Sequence, residues 1–168
     1  MSEYLYTKGL VLVENFLTHQ EELDILSHIP ETISVNKHTR NSIRRYGSKT
    51  PYKNQIESEI IPDYLDRLSQ KIFDTGYSVV KPNSVSINEY LTGNAIAPHI
   101  DSMESGAIIS IISLLSDATM SFSLNNEEHV LLIQPRSLIQ LKDEIRYKWK
   151  HAILPVKSKR YSIVFRNG

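Results

Sequence analysis

The chain has 168 residues, enough to bury roughly 70% of its unfolded surface in a single domain spanning 1–168. Its 19 Lys plus Arg balance 19 Asp plus Glu, so the net charge is zero and exerts no global pull toward nucleic acid or a membrane; any such attraction is local. It has no cysteine, which excludes a disulfide framework and a thiolate metal site and leaves His and carboxylate side chains as the available metal ligands. Residues 9–16 read as a strand. Thr18 and Glu21 have capping-box spacing and open a short amphipathic helix to about Ile29, stopped by Pro30. Residues 32–56 carry Lys37, Arg40, Arg44, Arg45, Lys49 and Lys53 without one acidic residue, interleaved with Tyr46, Gly47, Pro51 and Tyr52; this pattern predicts a loop or hairpin. Pro62 starts a second helix with Tyr64, Leu65, Leu68 and Ile72 at helical spacing and Gly76 past its end.

From Ser84 the pattern changes to short strands and turns, about eight of them: 84–91, 97–101, 107–115, 119–124, 130–134, 137–141, 147–153 and 160–166. That number suits a small barrel or jelly roll, an α+β fold that is mostly β. The nearly all-apolar stretch 107–115 is expected to be buried on both faces. No run approaches the roughly 20 apolar residues of a membrane span. Met1-Ser2-Glu3-Tyr4 lacks the basic-then-apolar plan of a signal peptide. The expectation is an intracellular, cytoplasmic monomer.

Within this frame, Ala97-Pro98-His99-Ile100-Asp101 stands out. Residues two apart on a strand project from one face. An imidazole and a carboxylate so placed are two of the three ligands of the two-His-one-carboxylate site of non-haem Fe(II) oxygenases. A third ligand must come from far along the chain. His129 follows Asn125-Asn126-Glu127-Glu128 and reads as a solvated turn residue. His151 reads differently: in 146–153, alternation sends Arg146, Lys148 and Lys150 outward and Tyr147, Trp149, His151 and Ile153 inward. An inward His is more often a hydrogen-bonded core residue than a ligand, and a lone HxD recurs by chance; it is their combination that points to a metal.

In 160–166, Tyr161, Ile163 and Phe165 share one face, and Arg160, Ser162, Val164 and Arg166 share the other. Two arginines on one face of a core-like strand are costly unless they meet anions, and guanidinium is the group best shaped for a carboxylate. A solvated strand face is the competing reading. Ser86, Asn88 and Tyr90 form a second polar strand face able to donate hydrogen bonds to carboxylate oxygens.

Taken together, the stretches 87–93, His99-Ile100-Asp101, 146–151 and 160–166, in that order and at that approximate spacing, resemble the AlkB family of Fe(II)- and 2-oxoglutarate-dependent dioxygenases. Ser162 and the Arg-Tyr-x-Trp-x-His run are similar to the branch that contains tRNA wobble-uridine hydroxylases. The resemblance implies a double-stranded β-helix (jelly roll) over 84–166 with N-terminal helices packed outside. It implies Fe(II) held by His99, Asp101 and His151, with 2-oxoglutarate as co-substrate and O₂ as oxidant. Arg160, assisted by Tyr90, would pair with the distal carboxylate of 2-oxoglutarate; Asn88, Ser162 and Arg166 would line the rest of that site. Arg44, Arg45, Tyr46 and Tyr52, within a substrate-side lid at 32–56, would meet the substrate. The activity implied is oxidative demethylation or hydroxylation of an alkylated base in single-stranded or base-flipped DNA or RNA, with release of succinate, CO₂ and, from an N-methyl group, formaldehyde. Hydroxylation of a protein or small molecule, favoured by the zero net charge, and a non-catalytic metal-binding β-barrel are the other readings.

Overall fold

The computed structural model describes residues 3–31, 42–47 and 59–168. A one-turn helix α1 (Glu3–Thr7) leads into β1 (Leu10–Val13); the strand expected over 9–16 ends early, because Asn15 turns the chain at a φ of 52°. Helix α2 (His19–His28) begins as its sequence predicts: Glu21 N donates to Thr18 Oγ1 at 3.1 Å and Thr18 N donates to Glu21 Oε1 at 3.0 Å. This reciprocal cap satisfies two of the backbone donors that a helix start leaves open. Residues Ser42–Gly47 form β2, so the described part of the 32–56 segment is the strand that the hairpin alternative contains, not the loop. Its charges suit its place at the edge of a sheet; the rest of that segment, Tyr52 included, lies outside the described residues. Helix α3 (Asp63–Asp74) follows Pro62 as its N-cap and stops at Thr75, one residue before Gly76.

Eight strands follow, as the sequence leads one to expect: β3 (Ser84–Tyr90), β4 (Ile96–His99), β5 (Ile109–Leu114), β6 (Ala118–Leu124), β7 (Glu127–Ile133), β8 (Leu138–Leu141), β9 (Lys150–Ile153) and β10 (Arg160–Arg166). They assemble with β1 and β2 into a six-stranded sheet, β1-β8-β5-β10-β3-β2, and a four-stranded sheet, β4-β9-β6-β7, antiparallel throughout. This is the two-sheet core of a double-stranded β-helix, mostly β with few helices. Between β8 and β9 the chain departs from expectation. A short helix α4 (Asp143–Tyr147) replaces the start of the strand foreseen over 147–153, so Tyr147 is partly exposed and Arg146 is buried. A helix advances about 100° per residue instead of 180°, which breaks the in-out reading upstream of Trp149. From Trp149 the reading holds: Trp149, His151 and Ile153 are buried and Lys150 is exposed.

Strand alternation divides the interior in two. One apolar cluster, with Ile109, Ile111, Met120, Phe122, Leu131, Ile153 and Val164, lies between the sheets. The other, with Ile25, Tyr64, Leu65, Leu68, Ile72, Ile87, Ile112, Ile163 and Phe165, joins α2 and α3 to the outer face of the larger sheet. Adjacent residues on β5 and β10 belong to different clusters, so both strands are covered on both faces, β5 by mostly apolar residues on each and β10 by apolar residues on its helix side. Every residue of β5 is buried, in line with its sequence. The face of β10 that does not meet the helices carries Arg160, Ser162, Val164 and Arg166 into the space between the sheets.

Candidate active site

His99 ends β4, the edge strand of the smaller sheet, where Pro98 is tolerated because the edge does not need its missing N–H. The β4–β9 register sets His99 directly opposite His151. Asp101 lies two residues beyond the strand end, not within a strand as 97–101 suggests, and the chain still returns its carboxylate to the two rings. Asp101 Oδ1 stands 3.2 Å from His99 Nε2 and 3.4 Å from His151 Nε2. The three candidate donor atoms lie within 4.8 Å of one another. His99 Nδ1 is hydrogen-bonded to Ala97 O at 2.9 Å, which fixes the ring with Nε2 turned to Asp101. Main-chain anchoring of the distal ring nitrogen is the usual way a metal-ligating imidazole is oriented.

Electrostatics favour an ionised carboxylate here. Burial alone pushes Asp101 up, but the hydrogen-bonding His151 and His99 and the charge of Arg166 outweigh it and hold its carboxyl well below the usual carboxylate range. Burial pushes His151 down, toward the neutral imidazole that coordinates a cation. His99 is also lowered by burial, yet its hydrogen bond to Asp101 makes the net direction upward.

Beside these three side chains is a cavity of about 550 Å³, open mouth included, lined by Asn88, Tyr90, Arg160, Ser162, Arg166 and a set of apolar side chains. Arg160 is 1% exposed. Its Nε donates to Ser113 Oγ at 3.0 Å and its Cζ lies 4.9 Å from the Tyr90 ring centroid, but Nη1 and Nη2 have no hydrogen-bond partner among the described residues. A buried guanidinium with two open donors is costly unless an anion completes it. A carboxylate placed against both donors does so with the best-matched geometry available to either group. The cavity therefore fits a small carboxylate-bearing molecule reaching from Arg160 toward the His-Asp-His cluster. Arg166 serves the other end: its Nε and Nη2 both lie 2.9 Å from Asp101 Oδ2, and its Nη1 donates to Ser86 Oγ at 3.1 Å. The two arginines, on one face of β10, thus have different partners: Arg166 is bonded to Asp101 and Arg160 to Ser113.

The residues expected to meet substrate separate. Tyr46 is buried in the helix-side cluster, and Arg44 forms an ion pair with Glu59 at 3.1 Å on the same side. Arg45, in register with Ser86, is on the face that carries the cavity. His129 is in β7, not in a solvated turn, with its ring centroid 5.8 Å from that of Tyr4 and 5.7 Å from that of Trp149. Sequence reasoning missed two residues that structure this region. Ser113 holds Arg160; its signal was a hydroxyl interrupting an apolar run. Arg146 carried no signal, because its burial depends on α4.

The family model of the 2OG-Fe(II) oxygenase superfamily matches residues 31–166. An uncharacterized protein, L905, of Acanthamoeba polyphaga mimivirus is 31% identical over 178 residues, covering 95% of this chain and 84% of that protein. The tRNA (carboxymethyluridine(34)-5-O)-methyltransferase alkbh8 of Xenopus tropicalis is 30% identical over 161 residues, and the DNA N6-methyl adenine demethylase of Caenorhabditis elegans is 29% identical over 176 residues. Those matches cover 89% and 95% of this chain but only 26% and 60% of the two relatives. The solved structure of OsALKBH1 superposes with a TM-score of 0.68 at 15% identity, covering 95% of this chain and 98% of that one, a likeness of fold.

Proposed function

Since the chain belongs to the 2OG-Fe(II) oxygenase superfamily, in its AlkB-like group, we propose that it oxidises alkylated bases in DNA or RNA, with His99, Asp101 and His151 as the ligands of its Fe(II). The family's cofactors are Fe(II), 2-oxoglutarate and O₂. The observation that carries the reading is the pairing, in one cavity, of a buried ionised carboxylate facing two imidazoles with a buried guanidinium that has two open donors. When bound, the iron and keto acid supply the oxidation of a substrate C–H bond, with succinate and CO₂ as the products of the co-substrate.

The chain's own residues do the rest. Three protein donors on one side of a metal leave its other positions for co-substrate and oxidant. Arg160, backed by Ser113 and Tyr90, receives the distal carboxylate of 2-oxoglutarate. Asn88, Ser162 and Arg166 line the path to the metal end, and the apolar walls exclude water. Residues 1–168 act as one catalytic unit in this reading, with 84–166 as its core and 32–56 as its substrate side. Single-stranded or flipped nucleic acid is the partner, supported by what the named relatives act on. No described helix is long and apolar enough to cross a membrane.

The test is incubation with Fe(II), ascorbate, 2-oxoglutarate and a panel of N-methylated and wobble-uridine-modified oligonucleotides, read by mass spectrometry. A mass loss or gain on a base, with succinate formed and both abolished by Asp101→Ala, is expected. Succinate formation with no oligonucleotide altered would move the assignment to a protein or small-molecule hydroxylase.

A further inference from the structure

Arg146 is only 2% exposed, although it lies on the one-turn α4 near the surface. All three faces of its guanidinium are used on main-chain carbonyls of a single loop. Nε donates to Gly106 O at 3.0 Å, Nη1 to Asp101 O at 3.1 Å and Nη2 to Ser102 O, the shortest of the three, at 2.6 Å. Among the described residues no carboxylate accepts a hydrogen bond from it, so its hydrogen bonds there are to the main chain alone. Resting on the ligand assignment above, we propose that Arg146 is a positioning residue for the metal-binding carboxylate: it fixes the loop that presents Asp101 and ties it to the segment that presents His151.

The loop needs such a brace. Asp101 lies beyond the last residue of β4, so no strand ladder holds it. A 3₁₀ turn at Met103–Ser105 follows, closed by Gly106 at a φ of 88°, and the carbonyls that flank it, of Asp101, Ser102 and Gly106, meet the buried guanidinium, where an acceptor left unpaired is costly. A planar fork presents donors from three separate nitrogens and so reaches three spread-out carbonyls in one fixed geometry, whereas the three donors of a lysine all radiate from a single atom. His151 is five residues after Arg146 in the same segment. Holding the backbone of Asp101 from there sets the separation between carboxylate and imidazole without touching either. Groups that orient metal ligands in this way typically change metal affinity by about 10- to 100-fold when removed.

The experiment measures Mn(II) affinity by calorimetry, well below the melting temperature of each ligand-free protein, for the parent, Arg146→Met, Arg146→Lys and Asp101→Ala. The Co(II) absorption spectrum of each serves as a readout of ligand geometry. Arg146→Met is expected to bind Mn(II) about 10- to 100-fold more weakly, with an altered Co(II) spectrum, and Arg146→Lys to recover part of the loss. Parent-like affinity and spectrum in a folded Arg146→Met, with only a lowered melting temperature, would show a merely structural role and overturn the proposal. If Arg146→Met does not fold, Arg146→Lys decides: parent-like binding in it counts against the proposal and weakened binding supports it. Asp101→Ala separates this inference from the reading beneath it. Unimpaired Mn(II) binding there removes the ligand assignment itself, whereas loss of binding in Asp101→Ala with none in the Arg146 variants removes the positioning role alone.

Discussion

Asp101 and Arg166 meet so that both guanidinium contacts fall on one oxygen: Arg166 Nε and Nη2 are each 2.9 Å from Oδ2, while Oδ1 faces the two imidazoles. The carboxylate is thereby divided in function, one oxygen held and the other presented. Removing the guanidinium leaves an ionised group buried without its charge partner, which typically costs about 3–5 kcal/mol. Arg166→Met is therefore expected to lower the unfolding free energy of the metal-free protein by that amount in urea titrations. Arg166→Lys, a point charge in place of a fork, is expected to fall between the two. An unchanged midpoint in Arg166→Met would show that the contact contributes nothing.

Arg160 predicts effects of opposite sign on affinity and stability. Arg160→Met removes two open donors for a carboxylate; at about 1.5 kcal/mol for each charged hydrogen bond, the KM for 2-oxoglutarate rises roughly 100-fold. The same change removes a buried, incompletely satisfied cation, so the ligand-free protein is expected to be at least as stable as the parent. A steady-state titration of 2-oxoglutarate and a thermal melt on the same preparation check both halves.

Metal linkage follows from the three-donor cluster. A cation bound by the folded state alone stabilises it by about 2.7 kcal/mol at 100 times its dissociation constant. For a chain of this length that amounts to a rise of about 5–10 °C in Tm, reversed by a chelator. Asp101→Ala is expected to show no such rise. A metal-independent melting curve in the parent protein contradicts the ligand assignment.

Arg44 and Arg45 are neighbours on opposite faces of β2. Arg44→Ala breaks a partly exposed ion pair with Glu59, worth under about 1 kcal/mol, and is expected to leave oligonucleotide turnover within twofold. Arg45→Ala, on the cavity face, is expected to raise the oligonucleotide KM and to reduce the dependence of log affinity on log salt by about one phosphate contact. Fluorescence anisotropy over a salt series distinguishes the two.

Alkaline stability depends on Tyr64. Burial pushes its phenol up to about 12, above the roughly 10 of an exposed tyrosine. Below pH 10 both folded and unfolded chains hold the proton and stability is intact. As the pH rises from about 10 to 12, the unfolded chain ionises first and stability falls. Tyr64→Phe is expected to reduce that fall in urea titrations at pH 9 and 11.5; equal losses in both proteins contradict it.

The residues at 99, 101 and 151 were legible because two of them sit on paired strands, where a period of two turns spacing into direction. The same rule sorted β10 correctly: Ile163 and Phe165 meet the helices, and Arg160 and Ser162 face the cavity. It failed at Arg146, since the alternation read over 146–153 begins inside a helix that ends at Tyr147, and Asp143 enters that helix at a positive φ of 49° that nothing in its neighbours announces. At 42–47, the cationic pattern left loop and hairpin open, and the strand found there fits because an edge strand accepts charges that a central one would reject. The partner of Arg160 was hidden for another reason. Which serine of β5 lies beside which arginine of β10 is a matter of register between strands some fifty residues apart, and one chain's local pattern holds no record of it.

Among the described residues β2 is hydrogen-bonded only to β3 and lies at the end of its sheet, with Arg45 in register with Ser86 and every proposed iron and keto-acid residue on other strands or loops. In the proposed reading, substitutions there alter substrate choice while the oxidising centre stays intact. On that reading, directed evolution of new specificities has an obvious place to begin.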